Sequence, residues 1–202
     1  MRKSALIPAA TLACTAVLLA GCGGKNNDKA ADDQPETGTC PTAAAPAGAA
    51  TTWTLAGATG DIKVVAPTAQ HAPGVTVGTP FTVGQTTVHV LTPGSGDKTI
   101  TADDMVSVCY MGVNGRDGKV FDSAYQRGTP ASFPLTNVVT GFQKAIVGQK
   151  PGATVAVAMT PDDGYKAMGG MPDAGIQADD PLVFVLQIKA IEPTDGSGGP
   201  TP

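Results

Sequence analysis

Three stretches in the second half of the chain alternate apolar with polar or small residues at a period of two. In MVSVCYM (105–111), Val106, Val108 and Tyr110 fall on one face and Met105, Ser107, Cys109 and Met111 on the other. ATVAVAM (153–159) repeats the pattern with Val155, Val157 and Met159, and LVFVLQIKAI (182–191) repeats it with Leu182, Phe184, Leu186 and Ile188. That period belongs to strands, whose successive side chains point to opposite faces. Three strands sharing an apolar side need a cover, and one segment has the spacing to supply it. In VVTGFQKAIVG (138–148), Phe142, Ala145 and Ile146 recur at helical spacing, Thr140 and Gln143 match a capping box, and Gly148 stands where a left-handed residue ends a helix. About two turns of helix on an antiparallel sheet is an α+β plan.

The first half is patterned in shorter runs. TTWTL, DIKVVA, GVTV, FTV and TTVHVL are each bounded by Gly, Pro or Asp and predict short strands. We divide the mature chain into a β-rich extension at 51–83 and a main domain at 84–192. Residues 22–50 mix polar, Ala, Pro and Gly residues without an apolar period and cannot bury enough surface to offset the entropy of ordering, so they are expected to form a flexible tether. Residues 193–202 read as a disordered tail. Residues 1–21 have a basic start at Arg2 and Lys3, an apolar run and small residues before Cys22, the build of a secretory signal peptide. The apolar run is too short and too early for a resident membrane-spanning helix. Leu19-Ala20-Gly21-Cys22 resembles a bacterial lipobox, which implies cleavage before Cys22, acylation of its thiol and an extracytoplasmic protein anchored to the cell membrane. The other reading is ordinary cleavage that leaves Cys22 as a free thiol.

Composition sharpens this picture. Twenty-six Gly and 17 Pro against 5 Phe, 3 Tyr and 1 Trp describe a turn-rich protein whose core relies on Val, Ile, Leu and Ala. Loss of the signal removes Arg2 and Lys3 and no acid, so the formal charge of −4 becomes −6. An acidic protein is a poor ligand for nucleic acid or anionic membranes, which leaves lipid as the membrane contact. Cys14 leaves with the signal, and Cys40 and Cys109 remain, free either to pair in an oxidising compartment or to stay as thiols. No metal or cofactor motif is present. The acid pairs Asp103-Asp104, Asp162-Asp163 and Asp179-Asp180 lack calcium-loop spacing and read as turn residues, His71 and His89 read as surface or strand residues, and neither a phosphate-binding loop nor a nucleophile elbow occurs.

One stretch resists a purely structural reading. In DGKVFDSAYQR (117–127) an acid directly follows an aromatic residue and an arginine comes five residues later. Asp122 and Arg127 are either an ordinary surface ion pair or part of a site. The surrounding text favours a site: VSVCYMG, DGKVFDSAYQRGTP, VVTGFQKAIVGQKPGATVAVAMTPDDGY, GI and LVFVLQI together resemble the FKBP-type peptidyl-prolyl isomerases over 84–192. With the lipobox, the chain resembles the secreted FKBP lipoproteins and, more loosely, the macrophage infectivity potentiator type.

The resemblance implies a twisted antiparallel sheet wrapped around one short helix, with an apolar pocket between them. It assigns catalytic positions to Tyr165, Asp122 and Tyr110, and substrate-binding positions to Phe121, Arg127, Phe133, Val138, Val139, Phe142, Ile176 and Phe184. It implies an isomerase that assists the folding of exported proteins by taking X-Pro segments of unfolded chains into the pocket, with macrolides of the FKBP type as possible ligands. The alternative is a non-catalytic module that binds proline segments at the cell surface. Ala131, Lys166 and Gly170 depart from the family pattern.

Overall fold

Residues 38–193 are described by a computed structural model, all within a unit that begins at Asp33. The signal segment, Cys22, most of the tether and the tail lie outside the described residues. In chain order the strands are β1 (Trp53–Ala56), β2 (Thr59–Val65), β3 (Gly74–Thr82), β4 (Thr87–Thr92), β5 (Met105–Asn114), β6 (Val120–Ser123), β7 (Ala131–Pro134), β8 (Thr154–Met159), β9 (Gly170–Met171), β10 (Ile176–Gln177) and β11 (Leu182–Glu192). Helix α1 is the single turn Ala124–Arg127, and α2 spans Thr140–Ile146.

The alternating stretches are the middle of an antiparallel six-stranded sheet ordered β4-β8-β11-β5-β6, with β7 beside the first half of β5. Val106, Val108 and Tyr110 join Val155, Val157, Met159, Leu182, Phe184, Leu186 and Ile188 in one core, against which Phe142, Ala145 and Ile146 of α2 pack. This is the α+β arrangement of a sheet around one short helix.

The opposite face is apolar too, which differs from the expected single covered side. Val183, Val185, Ala156, Ala158 and Val113 turn away from α2 and are fully buried under the separate sheet β1-β2-β3, which supplies Ile62, Val64 and Phe81 at zero exposure. Strands buried on both faces read as continuous apolar runs, as LVFVL does, so period-two counting saw only half of the pattern. The β-rich extension is therefore a second layer, and Trp53 of β1 stacks on His89 of β4, ring centroids 5.1 Å apart.

Two local expectations also change. Thr140 is the first helical residue of α2 and Val139 is its N-cap, without a side-chain cap. The Gln143 amide reaches back to the Leu135 carbonyl at 2.6 Å instead of closing a capping box. Gly148 does adopt the left-handed conformation expected of it, at φ 86°. The end of the expected tether is not free: Cys40 is 3% exposed and bonded to Cys109, and Ala43 bridges His71. A covalent bond to the core offsets the ordering entropy that the composition of this segment could not.

Candidate functional site

The stretch DGKVFDSAYQRG folds locally into a short strand and one capped helical turn. β6 pairs with β5, placing Asp122 opposite Gly112. Ser123 then caps α1, its hydroxyl accepting from the Gln126 N–H, and Tyr125 anchors the turn at 1% exposure. One turn of helix brings Arg127 back over the strand, so the spacing of five lets its guanidinium bond Asp122 Oδ1. Gly128 ends the turn at φ 76°.

Asp122 accepts from both neighbours: Tyr110 Oη donates to Oδ2, and Arg127 also donates to Tyr110 Oη at 3.0 Å while lying 5.6 Å from the centre of that ring. Burial would raise the Asp122 carboxyl, but the hydrogen bonds from Tyr110 and Arg127 outweigh it and hold the group below the usual carboxylate value. Burial, reinforced by the bond to Asp122, pushes the Tyr110 phenol up to about 12, which keeps it a donor. The Arg127 and Asp122 side chains are 48% and 39% exposed, so the pair adds at most about 1 kcal/mol to stability. Its effect is orientation, leaving a fixed carboxylate at the edge of an apolar cleft.

The cleft holds about 510 Å³ and is lined by Tyr110, Phe121, Asp122, Phe133, Val138, Val139, Phe142, Tyr165 and Phe184, nine of the eleven predicted positions. Phe142 and Phe184 meet edge to face at 5.4 Å, Phe121 and Phe184 at 5.4 Å, and Phe133 and Phe142 at 5.5 Å. Such pairs add about 0.5–1.5 kcal/mol each beyond burial and fix the walls. Tyr165 ends the segment after β8. Burial and the Asp122 charge raise its phenol, which makes no hydrogen bond to another described residue. Arg127 stands behind Asp122 and outside the lining. Ile176 does not line the cleft: it is 2% exposed and packs in the core that Phe142 and Phe184 share.

Sequence reasoning missed Thr136, Asn137, Met168 and Met171, which complete the rim. Met168 and Met171, 63% and 37% exposed, carried a usable signal, since two methionines in a Gly-rich polar loop have no core to serve. Gly112 was also missed. A Cβ there would lie 2.6 Å from Phe121 Cζ and 2.8 Å from Phe184 Cε1, so only glycine allows these rings to meet. Gly170, one of the departures, is explained in the same way: at φ 93° its Cβ would strike the Ile176 carbonyl at 2.5 Å. Lys166, another departure, pairs with Asp162 and Asp179 within the rim loop, and nothing in the structure explains Ala131.

The acid pairs are more than turn residues. Asp180, 4% exposed, accepts from Asn114 Nδ2 at 2.6 Å, Arg116 Nε at 2.9 Å and the Gln177 N–H at 2.8 Å, pinning the rim loop to the end of β5. Asp163 ties its turn to Lys144 of α2 at 2.6 Å and to Thr86. Among the described residues no three His, Cys, Asp or Glu side chains gather as they would around a metal ion.

The chain resembles known proteins over the segment that contains the cleft-lining residues. The family model for FKBP-type peptidyl-prolyl cis-trans isomerases matches residues 96–189. The peptidyl-prolyl cis-trans isomerase Mip of Coxiella burnetii is 36% identical over 105 residues, 51% of this chain and 43% of Mip. A probable FK506-binding protein of Corynebacterium glutamicum is 34% identical over 84 residues, 41% of this chain and 68% of that protein. The crystal structure of FkpA from Escherichia coli is similar at a TM-score of 0.49 and 30% identity, over 54% of this chain and 48% of that one. The chain thus spans less than half the length of Mip and FkpA. Since it matches two thirds of the Corynebacterium relative at 34% identity, and the family model spans the segment from before β5 into β11, the chain belongs to the family of FKBP-type peptidyl-prolyl cis-trans isomerases.

Proposed function

We propose that the chain is a peptidyl-prolyl cis-trans isomerase that accelerates the folding of exported polypeptides. One observation carries this reading: an aromatic cleft of about 510 Å³, with room for a proline ring, and a carboxylate fixed at its edge by Tyr110 and Arg127. Rotation about an X-Pro bond meets a barrier of about 18–20 kcal/mol because the amide loses resonance as it twists. No covalent bond has to be made or broken. Phe142 and Phe184, with Phe121, Phe133, Val138 and Val139 around them, take the proline ring and exclude water, which favours the less polar twisted amide. The Tyr165 hydroxyl donates to the substrate carbonyl, and the Asp122 carboxylate faces the carbonyl carbon as it rotates. The open rim with Met168 and Met171 suits an extended chain on either side of the proline, and the same cleft would take a macrolide of the FKBP type.

The lipobox at Leu19-Ala20-Gly21-Cys22 supports an extracytoplasmic lipoprotein held to the cell membrane by acylated Cys22. Anchoring follows from the acyl chains, each buried methylene adding about 0.8 kcal/mol. Residues from Gly23 to Gly38 are long enough to separate the domain from the surface.

The deciding experiment is the cis-to-trans rate of a series of X-Pro peptides with the chain and with its Tyr165→Phe and Asp122→Ala variants. Acceleration that falls in the folded variants and is blocked by an FKBP-directed macrolide is expected. A folded protein that binds the peptides without accelerating them would instead be a proline-segment binding module.

A further inference from the structure

The Arg127 guanidinium reaches Asp122 and Tyr110 from the end of a helix only four residues long. One turn has little stability of its own, so its placement must come from outside. Ser123 and the buried Tyr125 hold its start and middle. The end that carries Arg127 is held by the segment Thr39–Ala43. The Cys40 N–H donates to the Gly128 carbonyl at 3.0 Å, and the Thr42 methyl lies over Gly128, 3.3 Å from the position of a Cβ. Cys40 is bonded to Cys109, the residue before Tyr110 in β5. Farther along, the Ala43 carbonyl accepts from the Ala72 N–H at 2.7 Å. The two ends of this attachment are therefore chain neighbours of the two groups that orient Asp122: Cys109 adjoins Tyr110 and Gly128 adjoins Arg127.

We propose that the Cys40–Cys109 bridge and the segment it fixes are a positioning strap for Arg127, setting the guanidinium against Asp122 and Tyr110. The bridge keeps Cys40 at high effective concentration beside Gly128, in a segment of poor intrinsic order that is otherwise held by backbone hydrogen bonds at Cys40 and Ala43 and by the Thr42 methyl contact. Cys40 and Cys109 touch neither cleft nor substrate and act through Arg127. Opening the bridge with a dithiol reductant delivers two electrons and two protons, leaves two thiols and converts the reductant to its own disulfide. The strap then loses its covalent tie to β5 and keeps its non-covalent contacts with Gly128 and Ala72. The proposal rests on the isomerase reading for its activity arm and is independent of it for its structural arm.

The test uses the whole chain in three forms: bridged, reduced and alkylated, and carrying Cys40→Ser, each with circular dichroism to show that the sheets remain folded. Amide hydrogen exchange in 124–128 is expected to rise about tenfold or more when the bridge is open. The kcat/KM for an X-Pro peptide is expected to fall about three- to tenfold, mainly in kcat, and to show no further fall in an Arg127→Ala background, because the strap and Arg127 are coupled. Unchanged exchange at 124–128 in the open forms overturns the proposal, as does an equal loss of kcat/KM with and without Arg127, which would mark the bridge as a stabiliser only. If the bridged chain turns over no X-Pro peptide, the isomerase reading fails and the exchange result alone decides the strap.

Discussion

Asp122 shows how one residue can matter to a site and hardly at all to stability. Its carboxylate bonds Tyr110 and Arg127 but is partly solvated, so Asp122→Asn should change the unfolding free energy by less than about 1 kcal/mol while lowering kcat/KM for an X-Pro peptide about tenfold or more. Thermal unfolding and rate measured on the same sample check this; equal losses in both would assign Asp122 to the scaffold. Tyr110 makes the opposite prediction. Its phenol is raised from 10.0 to about 12, so above pH 10 the unfolded chain releases this proton while the folded one keeps it. Stability from this group is complete below pH 10 and declines through about 12, at about 1.4 kcal/mol per pH unit. Urea unfolding between these pH values should show a shallower decline in Tyr110→Phe, with the buried Tyr125 phenol, also raised, accounting for the remainder.

At the scale of the element, the cleft depends on how its rim loop is fastened. Asp180 binds Asn114, Arg116 and the Gln177 N–H, and these bonds outweigh burial and hold its carboxyl below 3.8. A depressed value means stability that is present above about pH 4 and lost as pH falls through the lower folded value, so the fastening is intact across the neutral range. Asp180→Ala leaves the buried Asn114 Nδ2 without its acceptor and should cost about 1–3 kcal/mol. Because the loop carries Tyr165, Met168 and Met171, KM should rise more than kcat falls, which steady-state kinetics on the folded variant would show. The sequence marked Asp179-Asp180 only as a turn, because the side-chain partners of Asp180, Arg116 and Asn114, lie 64 and 66 residues away. Long-range hydrogen bonds leave no local pattern, whereas the Phe-Asp pair with Arg127 one helical turn on is local and was legible.

Among the described residues, α2, the six-stranded sheet and the three-stranded sheet form three layers with two interfaces between them. The interface with α2 contains the cleft, and the other lies on the opposite face of the sheet. Phe81, fully buried between Val113, Ala158 and Val183, lies on the far side of the sheet from the cleft. Phe81→Ala should cost about 3–5 kcal/mol yet leave kcat/KM of the folded fraction unchanged at low temperature. A change in kcat/KM there would show that the second layer reaches the site through the strands.

Local pattern by itself determined the strands β5, β8 and β11, the presence and face of α2, and, through the text shared with a known family, nine cleft-lining side chains. These are properties of near neighbours in the chain, where side-chain period and turn chemistry act directly. Tertiary structure alone decided that residues 51–83 cover the second face of the sheet, that Cys40 pairs with Cys109, that Gly112 must lack a side chain and that Ile176 is core rather than wall. Each of these depends on which distant residues become neighbours, and a one-dimensional pattern carries that information only after packing has chosen among the faces it leaves available.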